Sequence, residues 1–391
     1  MPAVDIRELL RSSTQRDQNK QRVLRNVMIE SATQAKLAQL TGLSQATIST
    51  VVKELERDQL VTVEESGGAR TVQLRPPTHS VAVGVELGLR HLTVIARKLD
   101  ESGVQTVSTG LGADRGENVW LTEVIGMIDS AVTRTGMTKE NITSVGLAVP
   151  AAIEPVNGQL APPVLVPWSP SYRPGKALSD KLGLPVIADN DANMGAFGEF
   201  LYGAGKGKES LVYLKTGSPI GAGIVIDGRI FRGRHGLAGE IGHLTINPSG
   251  PVCRCGNRGC LETIAGDPAL LDEIREAFSG YYMPDLPSSL ETLVDRVRSG
   301  GGDPAFTRVV EDAGRSFGLA LASLCNLFDP HSVVLGGPLA RTGDTLLTGV
   351  WQILKQYALS GVVGSDFEMT LNALGAESEA RGALALSLLY A

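Results

Sequence analysis

Apolar side chains recur at two different spacings along the first eighty residues. Val23, Leu24, Val27 and Met28 fall three and four apart, which predicts a helix over residues 16–30. After Ser31-Ala-Thr33 a shorter helix is expected with Leu37 and Leu40 inward, ended by Gly42, a residue that accepts left-handed backbone. Ser44 suits the N-cap of a third helix, residues 45–57, in which Ile48, Val51, Val52 and Leu55 form one apolar stripe. The period then drops to two. Residues 60–63 and 71–74 read as strands of a hairpin around Gly67-Gly68. Helix, helix, turn, helix, hairpin is the order of a winged helix-turn-helix, and Arg75-Pro-Pro-Thr-His79 reads as a linker. Residues 1–76 are therefore expected to form one domain and residues 77–391 the body.

In the body, residues 81–85, 91–97 and 104–109 alternate like strands, with turns at 86–90 and 100–103. A helix over about 117–135 leads to a strand at 144–149. Residues 210–214, 222–226 and 229–232 then repeat the strand-turn-strand opening, and residues 332–335 form a further buried strand before Gly336-Gly337. Two halves that each open with a meander and continue with helices and strands predict a duplicated α/β body with a cleft between two lobes.

Charge separates the two regions. Residues 1–76 carry 11 Lys/Arg against 9 Asp/Glu, leaving 25 against 33 for the rest, so only the N-terminal end suits a polyanion. On the third helix Ala46, Ser49, Thr50, Lys53 and Arg57 face away from the apolar stripe, with Gln45 and Thr47 at its start. Such a face suits the major groove: Gln45 can pair with adenine, Ser49 and Thr50 can meet base edges or phosphate, and Lys53, Arg57 and the wing's Arg70 can meet the backbone. The small positive excess favours paired copies, a homodimer or homotetramer, on a double-stranded operator. No run of about 18 apolar residues exists to span a membrane, and the N-terminus lacks a signal-peptide core. A cytoplasmic protein is expected.

The densest chemistry lies in residues 236–262. His243, Cys253, Cys255 and Cys260 follow the spacing H-x9-C-x-C-x4-C in a Gly-rich stretch. Three thiolates and an imidazole are what a structural, four-coordinate Zn2+ site uses. Glu240 and Glu262 flank them, so the metal loop also presents acids. The fourth cysteine, Cys325, lies in LALASLCNLF and reads as a buried apolar residue on a helix.

GEIGH (239–243), CRCGNRGCLE (253–262), the upstream Asp189-Asn-Asp191-Ala-Asn193 and the downstream Asp329-Pro…VVLGG (333–337) together resemble the ROK family of repressors and sugar kinases. The resemblance spans nearly the whole chain, because the family's regulators also carry an N-terminal winged helix-turn-helix. It implies a two-lobed, actin/hexokinase-like (ribonuclease H-like) body, zinc ligands at His243, Cys253, Cys255 and Cys260, and a sugar pocket using Asn190, Asp191, Glu240, His243 and Glu262. Turn and cap roles are equally open for Asp189 and Asn193. In the family's kinases the residue matching Asp191 is the general base.

The ATP side departs from those kinases. Their Asp-x-Gly-Gly-Thr turn is matched by Glu86-Leu87-Gly88-Leu89-Arg90, and their Gly-Thr-Gly turn by Gly217-Ser218-Pro219. Leu89 adds bulk where backbone approaches phosphate, and Pro219 removes a donor N–H. On the sugar side Pro150-Ala151 stands for Pro-Gly, and Pro163-Val-Leu-Val-Pro-Trp168 for the segment with an Asn contact. The expectation is a DNA-binding regulator answering a small sugar or sugar phosphate, with no ATP bound. The alternatives are a sugar kinase that also binds DNA, and a zinc-stabilised regulator that answers a protein partner.

Overall fold

The computed structural model describes residues 14–29, 31–58, 60–66, 69–74, 80–99, 103–164, 166–282, 286–300 and 303–388. The chain opens with α1 (Gln15–Ile29), β1 (Ala32–Thr33), α2 (Gln34–Thr41), α3 (Gln45–Arg57), β2 (Val61–Ser66) and β3 (Ala69–Leu74). The strands form a sheet in the order β1-β3-β2, antiparallel throughout, with Val61 opposite Leu74. Val23, Leu24 and Val27 of α1, Leu37 of α2, the whole α3 stripe and Val61 and Val72 make one buried core. The local signals act as expected. Thr33 and Ser44 accept hydrogen bonds from the Lys36 and Thr47 amides, and Gly42 is left-handed with φ 68°. Leu40 corrects the expectation: it is 44 % exposed. The core takes one leucine from this two-turn helix, and Leu40, a turn further on beside Gly42, falls past its edge. The Gly67-Gly68 turn, the 75–79 linker and the side chain of Met28 lie outside the described residues.

The body begins with β4 (Val81–Leu87), β5 (Leu92–Lys98), β6 (Gln105–Thr109), α4 (Glu117–Arg134), β7 (Ile142–Val149), α5 (Pro174–Leu182) and β8 (Val186–Asn190). These strands are ordered β6-β5-β4-β7-β8, with an antiparallel meander β4-β5-β6 and β7 parallel to β4. Glu86, expected in the turn after β4, is instead its sixth residue, opposite Thr93 and 2 % exposed. The apolar run continues to Leu87, so the ladder reaches two residues beyond Val85.

The second half contains α6 (Asp191–Tyr202), β9 (Leu211–Lys215), β10 (Gly221–Ile226), β11 (Arg229–Ile230), α7 (Leu261–Ala265), α8 (Asp267–Ala277), α9 (Leu290–Arg298), α10 (Pro304–Phe328), β12 (Ser332–Gly336), α11 (Asp344–Tyr357), β13 (Glu368–Leu371) and α12 (Ser378–Leu388). Its sheet runs β11-β10-β9-β12-β13, again an antiparallel meander followed by parallel strands. Each half thus repeats one topology, as the repeated strand openings suggested. Cys325 is fully buried on α10, in the core that packs against this sheet. Two compact units emerge: Met1–Val149, Tyr172–Asp189 and Ala380–Ala391 form one, and Pro150–Ser171 and Asn190–Glu379 the other. Among the described residues no helix is long and apolar enough to cross a membrane.

Candidate functional site

The second unit brings the chemistry together. β8 ends at Asn190, whose side-chain oxygen caps α6 by accepting from the Asn193 amide at 3.2 Å. That cap starts the helix at Asp191 and leaves its carboxylate buried at the helix N-terminus, 3 % exposed. One carboxylate oxygen accepts from the Ala192 amide at 2.8 Å, and the other pairs with the Lys215 ammonium. Glu240 follows Gly239, which is left-handed with φ 89° and has no room for a side chain: a Cβ there would sit 1.9 Å from the Ala222 carbonyl oxygen. The Ala222 amide donates to the Gly239 carbonyl at 2.8 Å, which fixes the start of the GEIGH turn against β10. Glu262 enters from the first turn of α7.

Asn190, Asp191, Glu240, His243 and Glu262 line one pocket, walled by Pro150, Ala151, Pro163, Pro219, Ile220 and Leu237. All five residues expected around a sugar are therefore brought together. Asp189 and Asn193 are buried nearby but do not line it. Burial pushes the Glu240 carboxyl up to about 7, and the negative charges of Asp191 and Glu262 add to the effect. Arg254 donates to one oxygen of Glu262 at 2.9 Å, whereas the second oxygen is buried without a hydrogen-bond partner. An acceptor left this way is costly unless a ligand donates to it.

His243, Cys253, Cys255 and Cys260 place their ligand atoms within 4.8 Å of one another. His243 Nδ1 lies 3.5 Å from Cys253 Sγ, and Cys255 Sγ lies 3.7 Å from Cys260 Sγ. A tetrahedral ion with Zn–S of about 2.3 Å and Zn–N of about 2.0 Å demands edges of roughly 3.5–3.8 Å. The donor set therefore fits a four-coordinate divalent metal. The loop is shaped for it: the Cys253 amide donates to the Asn257 carbonyl at 2.7 Å and the Gly256 amide to the Cys253 carbonyl at 2.9 Å, folding three cysteines into one knuckle. Burial and the neighbouring thiols push Cys260 up to about 12, a cost that metal coordination removes. With Nδ1 in the cluster, the other imidazole nitrogen is left for the pocket.

On the N-terminal domain, Gln45, Ala46, Thr50, Lys53, Arg57 and Arg70 are exposed, and Thr47 and Ser49 are half-buried. Thr47 also serves the cap, its hydroxyl 2.8 Å from that of Ser44. The Thr50 hydroxyl donates to the Ala46 carbonyl at 3.0 Å. Glu54 of α3 and its C-cap Asp58 are held by cations, while Glu56 is exposed. Arg16 hydrogen-bonds Glu54, holding its carboxyl below the usual range, and Lys20 pairs with Asp58 at 2.8 Å. Sequence reasoning missed Lys215 and Arg254. The only signal for Lys215 was a charge at the end of the otherwise apolar run Leu211-Val-Tyr-Leu.

The sequence profile of the ROK family matches residues 82–389, and that of the MarR family matches residues 21–70. A xylose repressor of Caldicellulosiruptor bescii is 29 % identical over 354 residues, covering 86 % of this chain and 87 % of its own. A glucokinase of Halalkalibacterium halodurans is 32 % identical over 300 residues, covering 73 % of this chain and 89 % of its own. Among solved structures, a ROK family transcriptional regulator described as a homologue of the E. coli MLC protein superposes with a TM-score of 0.74 at 22 % identity. It covers 96 % of this chain and 97 % of the other.

Proposed function

This chain belongs to the ROK family, and from that premise we propose that it is a sugar-responsive, DNA-binding transcriptional regulator that represses genes of carbohydrate uptake or metabolism. Residues 1–76 read DNA through Gln45, Ala46, Thr47, Ser49, Thr50, Lys53, Arg57 and Arg70. Residues 77–391 bind the effector through Asn190, Asp191, Glu240, His243 and Glu262. The observation that carries this reading is a complete acid-lined pocket in the same chain as a capped, fully cored winged helix. Carboxylates and an amide set around a small apolar-walled pocket are what hydroxyl groups on a ring require. His243, Cys253, Cys255 and Cys260 would hold a structural Zn2+, which joins the GEIGH turn to the cysteine knuckle and so fixes Glu240 and Glu262 relative to each other.

Paired copies on a two-fold operator fit the low charge of the reading domain. Sugar and DNA are then linked, each changing the other's affinity by the same factor. The test is a titration of operator duplex against the protein with and without a panel of monosaccharides and their phosphates. A changed DNA affinity with at least one of them is expected. Unchanged affinity with all of them would overturn the reading.

A sugar kinase is the second reading, favoured by Asp191 and by the glucokinase relative. Three features oppose it. The Gly88 amide donates to the His91 carbonyl at 2.9 Å, and the His91 imidazole occupies the space beside Gly88, where a Cβ would meet it at 2.1 Å. Pro219 closes the second turn, and Asp267, with its carboxyl pushed up to about 6 by burial, meets Ser218 through its amide at 2.9 Å. An acid there repels phosphate. ATP consumption with hexoses and amino sugars separates the two readings, and no turnover is expected.

A further inference from the structure

Lys215 and Arg254, two cations beside the pocket, are committed to its acids. Lys215, the last residue of β9, is 11 % exposed and donates to Asp191. Arg254 donates to Glu262. Among the described lining residues three are acids, Asp191, Glu240 and Glu262, and none is lysine or arginine. We infer that the pocket selects an uncharged sugar over its phosphorylated form, and that Lys215 is the positioning residue that sets Asp191 as an acceptor for it. The inference rests on the sugar-binding reading above and names its ligand class.

The argument is one of donors and acceptors. An ionised carboxylate only accepts, at about four sites. The amide of Ala192 and the ammonium of Lys215 take one site on each oxygen of Asp191, and this fixes the plane of the carboxylate. The remaining lone pairs, with the unpartnered oxygen of Glu262, face a ligand that must bring protons. Sugar hydroxyls do. A phosphate brings acceptor oxygens and negative charge against the carboxylates of Asp191 and Glu262. Arg254 and Lys215 already spend positive charge on Glu262 and Asp191, so a phosphate would have to share a cation with a carboxylate that repels it. Lys215 also supplies positive charge where three carboxylates converge, so its loss would free Asp191 to turn away from its neighbours.

The test is calorimetric titration of the full chain with D-xylose, D-glucose and N-acetylglucosamine, each against its matched phosphate. At least one free sugar is expected to bind, with its phosphate about a hundredfold weaker or undetectable. A phosphate that binds as well as or better than its free sugar overturns the selectivity and leaves the sugar-binding reading standing. Silence from both classes removes that reading and this inference together. For Lys215, Lys215→Met is expected to weaken the free sugar on the order of tenfold or more. In an Asp191→Asn background the same change is expected to have no further effect on sugar affinity. A structural role alone would lower affinity equally in both backgrounds, and that outcome overturns the positioning role. Lys215→Leu replaces Lys215→Met if the latter does not fold, with the same expected and overturning results.

Discussion

The two regions that would meet ligands use charge in opposite ways. On α3 most polar side chains of the reading face stand in solvent, and Glu54 and the C-cap Asp58 are paired with Arg16 and Lys20. In the pocket the charges are more enclosed: Asp191 is 3 % exposed, the half-buried Glu240 and Glu262 converge near it, and Lys215 and Arg254 each serve one acid. An exposed face can change residue by residue with little effect on the fold, because solvent screens it and no partner is stranded. A buried cluster cannot, because removing one member leaves another unpaired. Substitutions in the pocket and the His/Cys loop should therefore register in stability as well as binding, whereas those at the exposed positions of α3, such as Gln45 and Lys53, should register in DNA binding alone.

The metal loop gives the largest expected effect and the sharpest chance to break the contrast. Cys255→Ser is expected to lower bound zinc below one equivalent and to reduce stability by about 3–5 kcal/mol, seen as a clear fall in melting temperature. DNA binding by the winged helix should survive at temperatures where the variant stays folded. Full metal content with unchanged melting would remove Cys255 from the ligand set and with it the claim that the loop is metal-braced.

Glu240 offers a smaller effect with a definite sign. Its carboxyl rises from an ordinary 4.5 to about 7 in the folded protein, with burial the main cause. Between those pH values the folded state holds a proton that the unfolded state has released, so stability falls as pH rises through that window and the loss is complete above 7. At about 1.4 kcal/mol per unit the contribution is about 3 kcal/mol at most. Glu240→Gln removes the charge and should make the protein more stable than the parent at pH 8 and nearly equal at pH 5. Melting curves at the two pH values measure it, and a variant with the parent's pH dependence would show that Glu240 is not the strained acid of the cluster.

The same contrast explains what was legible before any coordinates. The helices of the winged helix were readable almost to the residue because their signals are local: a Ser44 cap, a four-residue stripe on α3 and Gly42 act within one or two turns. The hairpin strands, by contrast, run two to three residues further into the expected turn, to Ser66 and from Ala69. The misjudged Leu40 lies where such a signal runs out, on a helix too short for periodicity to settle a face. In the body the repeated meanders announced the duplicated topology, and the His/Cys spacing announced a cluster of four side chains whose geometry could hold a metal. The partners of the acids were not readable. Lys215 reaches Asp191 across 24 residues, and Arg254 looks in sequence like a cation between two metal ligands. Pairings of that kind are made by the fold, and no spacing rule encodes them. Glu86, expected at the start of a turn, lies within β4, bonded to His91 Nε2 at 2.7 Å, a partner made by the strand pairing.

On the exposed side the expected effects are the smallest in stability and the most informative in kind. Lys53 is exposed and fills no pocket, and its exposed neighbour Glu56 can add only a few tenths of a kcal/mol, so Lys53→Ala should leave melting within about 0.5 kcal/mol of the parent. It should weaken DNA binding evenly across sequences and reduce the salt dependence by about one counterion. Gln45, at the N-terminus of α3, should behave differently: Gln45→Ala should relax preference at a single base position by about 1–3 kcal/mol while leaving the salt dependence unchanged. Binding to a randomised operator library at two salt concentrations distinguishes the two. If Gln45→Ala kept full base preference, sequence reading would pass to Ser49 and Thr50. If Lys53→Ala lowered melting as much as a pocket substitution, the contrast between a screened face and a buried cluster would fail at its simplest point.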